Sequence, residues 1–373
     1  MVRLGDYVKI KTGKLDANAS SDNGIYPFFT CSKEPLAIDT YSYDCECVLV
    51  SGNGDLNVKY YSGKFDAYQR TYIVESNDKE KLFVRYLYYF LDKYVETLRV
   101  QSIGGVIKYI KLGNLTEAKI PLPPLDEQRK IAAVLDKVSD LIAKRRQQLD
   151  KLDEMVKARF VEMFGNPISN PKGLPVKTLK QLSLLITNGT TPKGGSENYV
   201  EDGILFIRSQ NVWRNHIVLD DVAFINESTH YSMRKSSVKH KDILITKTGR
   251  INTENSSLGR AALYLGNDDS ANINGHVYLV RLDGSVIPEY VIAILTSEAY
   301  RKYIRKVCVG GIDKRQINLD QVEKFPIILP SMALQNQFAT FAEHSENTKT
   351  SISRSLEKLE TLKKALMQEY FGE

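Results

Sequence analysis

A run of apolar residues spaced alternately four and three apart constrains this chain more than any other feature. Between Pro123 and Gly165 they fall at Ile131, Leu135, Val138, Ile142, Leu149, Leu152, Val156 and Met163. That spacing predicts one long helix carrying a coiled-coil seam. Arg145 and Arg159 interrupt the seam, and Phe160 can replace Arg159 by a small rotation. Pro123-Pro124 fixes the start, and Asp126 and Glu127 place negative charge at the positive end of the helix dipole. Gly165 and Pro167 mark the stop. About 41 residues at ~1.5 Å each give a rod of roughly 60 Å. Such a helix is not stable alone in water, so its apolar stripe needs a partner.

The same chain supplies one. Shifted by 207 positions, the C-terminal segment aligns without a gap: Ile120 falls on Ile327, Leu122 on Leu329, Pro123 on Pro330, Gln128 on Gln335, Ile131 on Phe338, Leu149 on Leu356, Leu152 on Leu359 and Phe164-Gly165 on Phe371-Gly372. A second long helix is therefore expected over about Ser331 to Tyr370, with Ile352, Leu356, Leu359, Leu366 and Tyr370 on its seam. Ser345, Lys349 and Lys363 share that seam and weaken it. Upstream, Gly104-Gly105 with Lys108 matches Gly310-Gly311 with Lys314, one residue out of register. An ordered duplication of this kind marks an internal repeat rather than two chance amphipathic helices.

The remaining sequence divides into two globular stretches. In the first, Cys47–Val50 reads as a buried strand followed by the turn Ser51-Gly52-Asn53-Gly54-Asp55, Lys59–Ser62 and Arg70–Val74 read as further strands, and Lys81–Val100 as an aromatic-rich helix. In the second, Ile204–Ile207, Asp242–Ile245 and Val277–Val280 read as strands, and Pro288–Ile304 as the matching helix. The expected divisions are 1–122, 123–166, 167–330 and 331–373. No run approaches the ~18 apolar residues of a membrane span, and Met1–Gly13 lacks a signal core, which favours the cytoplasm.

Charge excludes little. The net charge of +6 is spread thinly: residues 1–123 carry 16 basic against 15 acidic residues, and 167–330 carry 21 against 16. Nucleic-acid binding must therefore rest on local clusters. Enzyme signatures are missing. There is no GxxxxGK[ST] phosphate loop and no Asn/Asp-Pro-Pro-Tyr/Phe stretch of adenine methyltransferases. The five histidines lack ligand spacing, and Cys31, Cys45, Cys47 and Cys308 do not form paired C-x-x-C sets, so no metal site is expected. Glu117-Ala118-Lys119 has the form of a nuclease Glu-x-Lys, but its setting next to the proline-rich helix entry argues against that role.

What remains is recognition chemistry at loop tips. The candidates in the first half are Ser51, Gly52, Asn53, Arg70, Gln101, Gly104, Gly105 and Lys108. Those in the second are Arg208, Ser209, Asn211, Lys247, Thr248, Arg250, Asn274, His276, Gly310, Gly311 and Lys314. Arg and Lys suit guanine edges and phosphates, Asn and Gln suit adenine, and glycine lets backbone N–H groups approach phosphate.

The pattern resembles the specificity subunit of a type I restriction-modification system. The residues that carry it are Leu122–Ala132 (LPPLDEQRKIA), Leu149-Asp150-Lys151-Leu152, Phe164-Gly165-Asn166-Pro167, Lys241–Gly249 and the Gly-Gly-x-x-Lys of both halves. The resemblance implies an α+β protein: two tandem α/β target recognition domains separated by two long antiparallel coiled-coil helices in a pseudo-twofold repeat. It implies a non-catalytic prokaryotic chain with no cofactor of its own. Each domain would read one half of an asymmetric split site in double-stranded DNA. Two methyltransferase subunits would dock on the helices, with Glu127, Gln128, Ile131, Leu135, Val138, Ile142, Leu149, Leu152, Val156, Gln335, Phe338, Ile352, Leu356, Leu359 and Leu366 serving that docking or the coiled-coil seam. S-adenosylmethionine, ATP and magnesium would belong to those partners and to the restriction subunits. Ala333-Leu334 stands where the first copy has Asp126-Glu127, which puts equal docking at both helix starts in doubt. Two alternatives stay open: a coiled-coil scaffold binding protein at its globular ends, and a fused restriction or modification enzyme with an unrecognised catalytic part.

Overall fold

The computed structural model describes residues 1–253 and 255–372. The fold is mixed α/β, and the chain forms two compact units, Met1–Gln148 with Ile352–Glu373 and Leu149–Ser351. Two helices of 40 residues each, Leu125–Phe164 and Met332–Phe371, lie within two residues of the limits expected from the seam and its flanking prolines and glycines. Each helix gives part of its length to each unit. Among the described residues no helix is long and apolar enough to cross a membrane.

The first unit is built on a six-stranded sheet in the order Val8–Thr12, Thr71–Ser76, Tyr43–Ser51, Val58–Ala67, Tyr26–Phe29, Leu36–Ile38. All pairs are antiparallel except Tyr26–Phe29 beside Val58–Ala67. The aromatic helix, Val84–Gln101, buries Tyr86, Leu87, Tyr89, Phe90 and Leu91 in one core with sheet residues Val48, Val50 and Val74. Ile131, Ala132 and Leu135 of the first long helix and Met367 and Phe371 of the second complete that core. Arg146 and Glu360 form an ion pair at 2.6 Å on the same helix pair. The Tyr86 hydroxyl donates to the Pro121 carbonyl at 2.9 Å and ties the aromatic helix to the proline-rich segment.

The second unit carries a four-stranded sheet in the order Ser183–Asn188, Val277–Leu282, Ile243–Thr246, Ala261–Leu263. A second four-stranded sheet orders Tyr199–Val200, Ala223–Ile225, Ile204–Ile207 and Ala271–Ile273, its last pair parallel. A small third sheet joins Thr248–Arg250, Lys314–Gln316 and Val309–Gly310. Phe160, Phe164 and Phe338 from the long helices pack around Tyr290. Phe160, rather than Arg159, takes the buried position. Lys349, on the weak seam of the second copy, lies 2.9 Å from both Asp153 and Glu346. The Tyr290 hydroxyl donates to Ile328 O at 2.9 Å.

One element differs from its expected form. Pro288–Ile304 is not a single helix but two, Pro288–Leu295 and Glu298–Val307. Ser297 has extended backbone and its hydroxyl accepts from the Tyr300 N–H, so a side-chain cap restarts the helix where the apolar pattern alone would carry it through.

Candidate nucleic-acid interface

In the first unit, backbone hydrogen bonds sew three separate stretches into one edge. The strand Tyr43–Ser51 runs into the turn Gly52–Asp55. Gly52 donates to Arg70 O at 2.8 Å, Ile110 donates to Gly52 O at 2.9 Å, and Gly54 donates to Lys108 O at 2.9 Å. Gly52 is required by this closeness: a Cβ there would lie 2.3 Å from Arg70 O. Ile103 and Tyr109 exchange both backbone hydrogen bonds, at 3.0 and 2.8 Å, and close a hairpin with Gly104-Gly105 at its bend. Asn53, Arg70, Gly104, Gly105 and Lys108 thus share one edge, with Arg70 and Lys108 exposed. Gln101 is exposed but accepts from Asn114 Nδ2 at 3.1 Å. Ser51 and Gly52 are buried, so neither presents a side chain to solvent.

In the second unit the candidates fall into two neighbouring groups. Lys247, Thr248, Arg250, Gly310, Gly311 and Lys314 gather on the small three-stranded sheet, where Arg250 is paired with Lys314 and Gly310 with Arg315. Lys247 N donates to His276 O at 2.9 Å, and Ile317 N donates to Lys247 O at 2.9 Å, which adds His276 to this group. Asn274 belongs to the other group: its N–H donates to Ile207 O at 3.0 Å, beside Arg208 at the ends of the parallel strand pair.

Two of these residues are already engaged inside the fold. Asn211 is buried, its Oδ1 accepting from Arg208 N at 2.9 Å and its Nδ2 donating to Val218 O and Asp221 O at 3.0 Å. Arg208 forms an ion pair with Asp221 at 3.2 Å and donates to its carbonyl at 2.6 Å. In this arrangement both brace a loop. A polar cavity of about 410 Å³ links Ser209 to Arg250, lined also by Gln210, Thr253, Asn255, Ser256, Ser257 and Arg260. Arg260 is buried, donates to Ser256 O at 3.0 Å and packs 3.9 Å over the ring of Trp213. Burial, aided by nearby Arg214, lowers its pKa. Trp213, Arg260 and Gln210 join this group without belonging to any sequence motif. The available signal was the chain's single tryptophan, set in a polar loop beside Arg214 and His216.

Most residues assigned to docking or to the coiled-coil seam face inward, as a seam requires. Gln128, Ile131, Leu135, Val138, Ile142, Gln335 and Phe338 are buried, and Leu149, Leu152, Val156, Ile352, Leu356, Leu359 and Leu366 are half-buried; only Glu127 of that set is exposed. Gln128 donates to Lys81 O and Pro123 O at 2.8 Å each and accepts from Phe83 N at 2.9 Å. Gln335 donates to Pro330 O at 2.9 Å and accepts from Ile287 N at 3.1 Å. Each amide therefore fastens a long helix to the start of a shorter one. Among the described residues no group of three or more His, Cys, Asp or Glu is placed to hold a metal ion.

The architecture is that of a mixed α/β protein in which loop edges bearing cations and glycines are borne on long helices. Residues 1–153 match the family model for the type I restriction modification DNA specificity domain. The EcoDI specificity subunit of Escherichia coli is 36% identical over 156 residues, which is 42% of this chain and 34% of that subunit, so this match spans about a third of the relative. The MjaVIII specificity subunit of Methanocaldococcus jannaschii is 23% identical across 98% of this chain and 90% of its own length. The type I restriction-modification S subunit from M. genitalium shares the fold, with a TM-score of 0.69 at 16% identity over 100% of this chain and 96% of that one. The chain is thus similar to type I restriction-modification specificity subunits along nearly its whole length, and its first 153 residues match their DNA specificity domain.

Proposed function

We propose that this chain is the non-catalytic, sequence-reading subunit of a type I restriction-modification complex in a prokaryotic cytoplasm. Residues 1–122 and 167–330 each read one half of an asymmetric bipartite site in double-stranded DNA. Residues 123–166 and 331–373 form an antiparallel helical pair that sets the spacing and docks two methyltransferase subunits, through which restriction subunits join. One observation carries this reading. Each half ends in a Gly-Gly hairpin with a lysine, the first hydrogen-bonded to a turn that also meets Arg70 and the second paired with the strand that bears Arg250, and each is followed by a long helix fastened through a buried glutamine. Contacts of Arg146 with Glu360, and of Asp153 with Lys349, support an antiparallel pair. The inward orientation of the seam moves docking to the exposed faces of the helices. A rigid spacer between two readers fixes half-site separation, as dimer geometry does in other DNA-binding proteins. The two halves share little sequence outside the repeat, which supports different half-sites.

The test is a map of methylated adenines in cells with and without this gene, its partner methyltransferase present in both. Loss of methylation at one split motif supports the reading and identifies the site. Unchanged methylation, with a purified complex that shows no salt-sensitive DNA binding, refutes it.

A further inference from the structure

We propose that the aliphatic tips of the two Gly-Gly hairpins, Val106-Ile107 in the first unit and Ile312 in the second, act as wedges that enter duplex DNA between neighbouring base pairs and bend it. This role rests on the DNA-reading function proposed above and assigns these side chains a task other than reading sequence.

The tips have an unusual exposure. Val106 is 103% exposed, Ile107 62% and Ile312 89%. These residues contribute nothing to a core, and their exposure is built into the backbone. Gly104 has φ +116°, and a Cβ there would meet Ile107 O at 2.6 Å, so the bend closes on itself and leaves Val106 and Ile107 at the outside. In the second unit Gly310, at φ +124°, opens the bend between Val309 and Gln316, and Ile312 lies at its outer end.

The surroundings of both tips fit a polyanion. Lys108 follows Ile107 directly, and Arg70 and Lys111 are exposed on the same stretch of the unit. Ile312 is followed by Asp313 and Lys314; Arg250 lies 3.2 Å from the Asp313 carboxylate and offsets its charge, and Arg315 donates to Gly311 O at 3.1 Å. Val106 and Ile107 stand beyond the less exposed Ile103 and Tyr109, and Ile312 beyond the less exposed Val309, so each apolar surface is a narrow hairpin with a protruding tip rather than the broad flat patch of a protein interface. They have the form of side chains that proteins push between base steps, while cations on either side hold the phosphates. A two-stranded ribbon also fits within a DNA groove.

The experiment uses the full chain in complex with its methyltransferase and a duplex carrying the methylated motif found by sequencing. Donor and acceptor dyes at the duplex ends report bending, and 2-aminopurine placed outside the methylated adenines reports unstacking. The intact complex should bend the duplex by somewhere between about 20° and 90° and brighten 2-aminopurine at one step in each half-site. V106A/I107A should abolish the bend and the brightening in one half-site, and I312A in the other. Each should weaken binding roughly tenfold, by analogy with the loss of a base-stacking side chain. Both should keep the methylated motif and the methyltransferase subunits. The wedge is overturned if the intact complex binds its motif with no bend or unstacking, if the variants bend DNA as the parent does, or if they instead lose the methyltransferase. A complex that binds no duplex with sequence preference overturns the DNA-reading function itself, and the wedge with it.

Discussion

Gln128 permits a quantitative test of how the first long helix is fastened. The side chain is fully buried, at 0% exposure, and makes three hydrogen bonds, two as donor and one as acceptor. Gln128→Ala strips the Phe83 N–H and the Lys81 and Pro123 carbonyls of their partner in one step. A buried polar group left unsatisfied costs ~1–3 kcal/mol, so the change should destabilise the chain by about 3–5 kcal/mol. Gln335→Ala removes two such bonds and should cost about 2–3 kcal/mol. Gln128→Glu should not rescue the site at neutral pH, because a carboxylate can accept from Phe83 but cannot donate to two carbonyls; acid, by protonating it, should restore part of the loss. Urea unfolding gives the total, and amide hydrogen exchange at Phe83 and Ile287 gives the local effect. A Phe83 amide as protected in Gln128→Ala as in the parent, or a total loss below about 1 kcal/mol, would refute this account.

Three further outcomes follow from charged groups. Asp242 is 2% exposed and holds Arg281 through two hydrogen bonds of 2.9 and 2.7 Å, so Asp242→Ala should cost about 3 kcal/mol in urea unfolding by leaving that guanidinium unpaired. For Lys349, burial by itself lowers the pKa, but hydrogen bonds to Asp153 and Glu346 outweigh it and the net shift is upward. Its contribution, under about 1 kcal/mol because both carboxylates are half exposed, should therefore be full below the unfolded lysine pKa and fade as pH rises through the higher folded value. Lys349→Met should remove that alkaline fade from the stability profile. Among the DNA candidates, Arg250→Ala should relax the methylated motif or weaken binding, whereas Arg208→Ala should chiefly loosen the loop braced by Asp221; methylation mapping beside hydrogen exchange separates the two.

The long helices were legible because a seam with alternating four and three spacing has few other solutions, and prolines and glycines mark its ends. The strands around Val48, Ile207, Leu244 and Leu279 were legible as short apolar runs. Tyr26–Phe29 and Leu36–Ile38 were not, since both are brief and a proline falls within the first and just before the second. The helix break at Ser297 depends on one capping hydroxyl, which periodicity does not register. At the candidate interface, the Gly-Gly hairpins and their lysines could be read from the repeat. The inward turn of Asn211 and the pairing of Arg208 with Asp221 could not, because both depend on how the loop folds back to bring Val218 and Asp221 alongside. Arg260 is similar: a cation in sequence, it is a buried prop for Trp213 in the fold.

The first unit is discontinuous in the chain, and this bears on its synthesis. Its core needs Met367 and Phe371, the latter with its ring centroid 5.1 Å from that of Tyr86 and 6.1 Å from that of Phe90. The second unit is one unbroken stretch, Leu149–Ser351. On the ribosome the second unit can therefore close as it emerges, while the first, made earlier, waits with part of its core bare until Ile352–Phe371 has cleared the exit tunnel. Unfinished cores of this kind are the surfaces on which nascent chains aggregate and which chaperones cover. A stop codon or stalled ribosome in the part of the second long helix beyond Ser351 would then harm the oldest part of the protein rather than the newest.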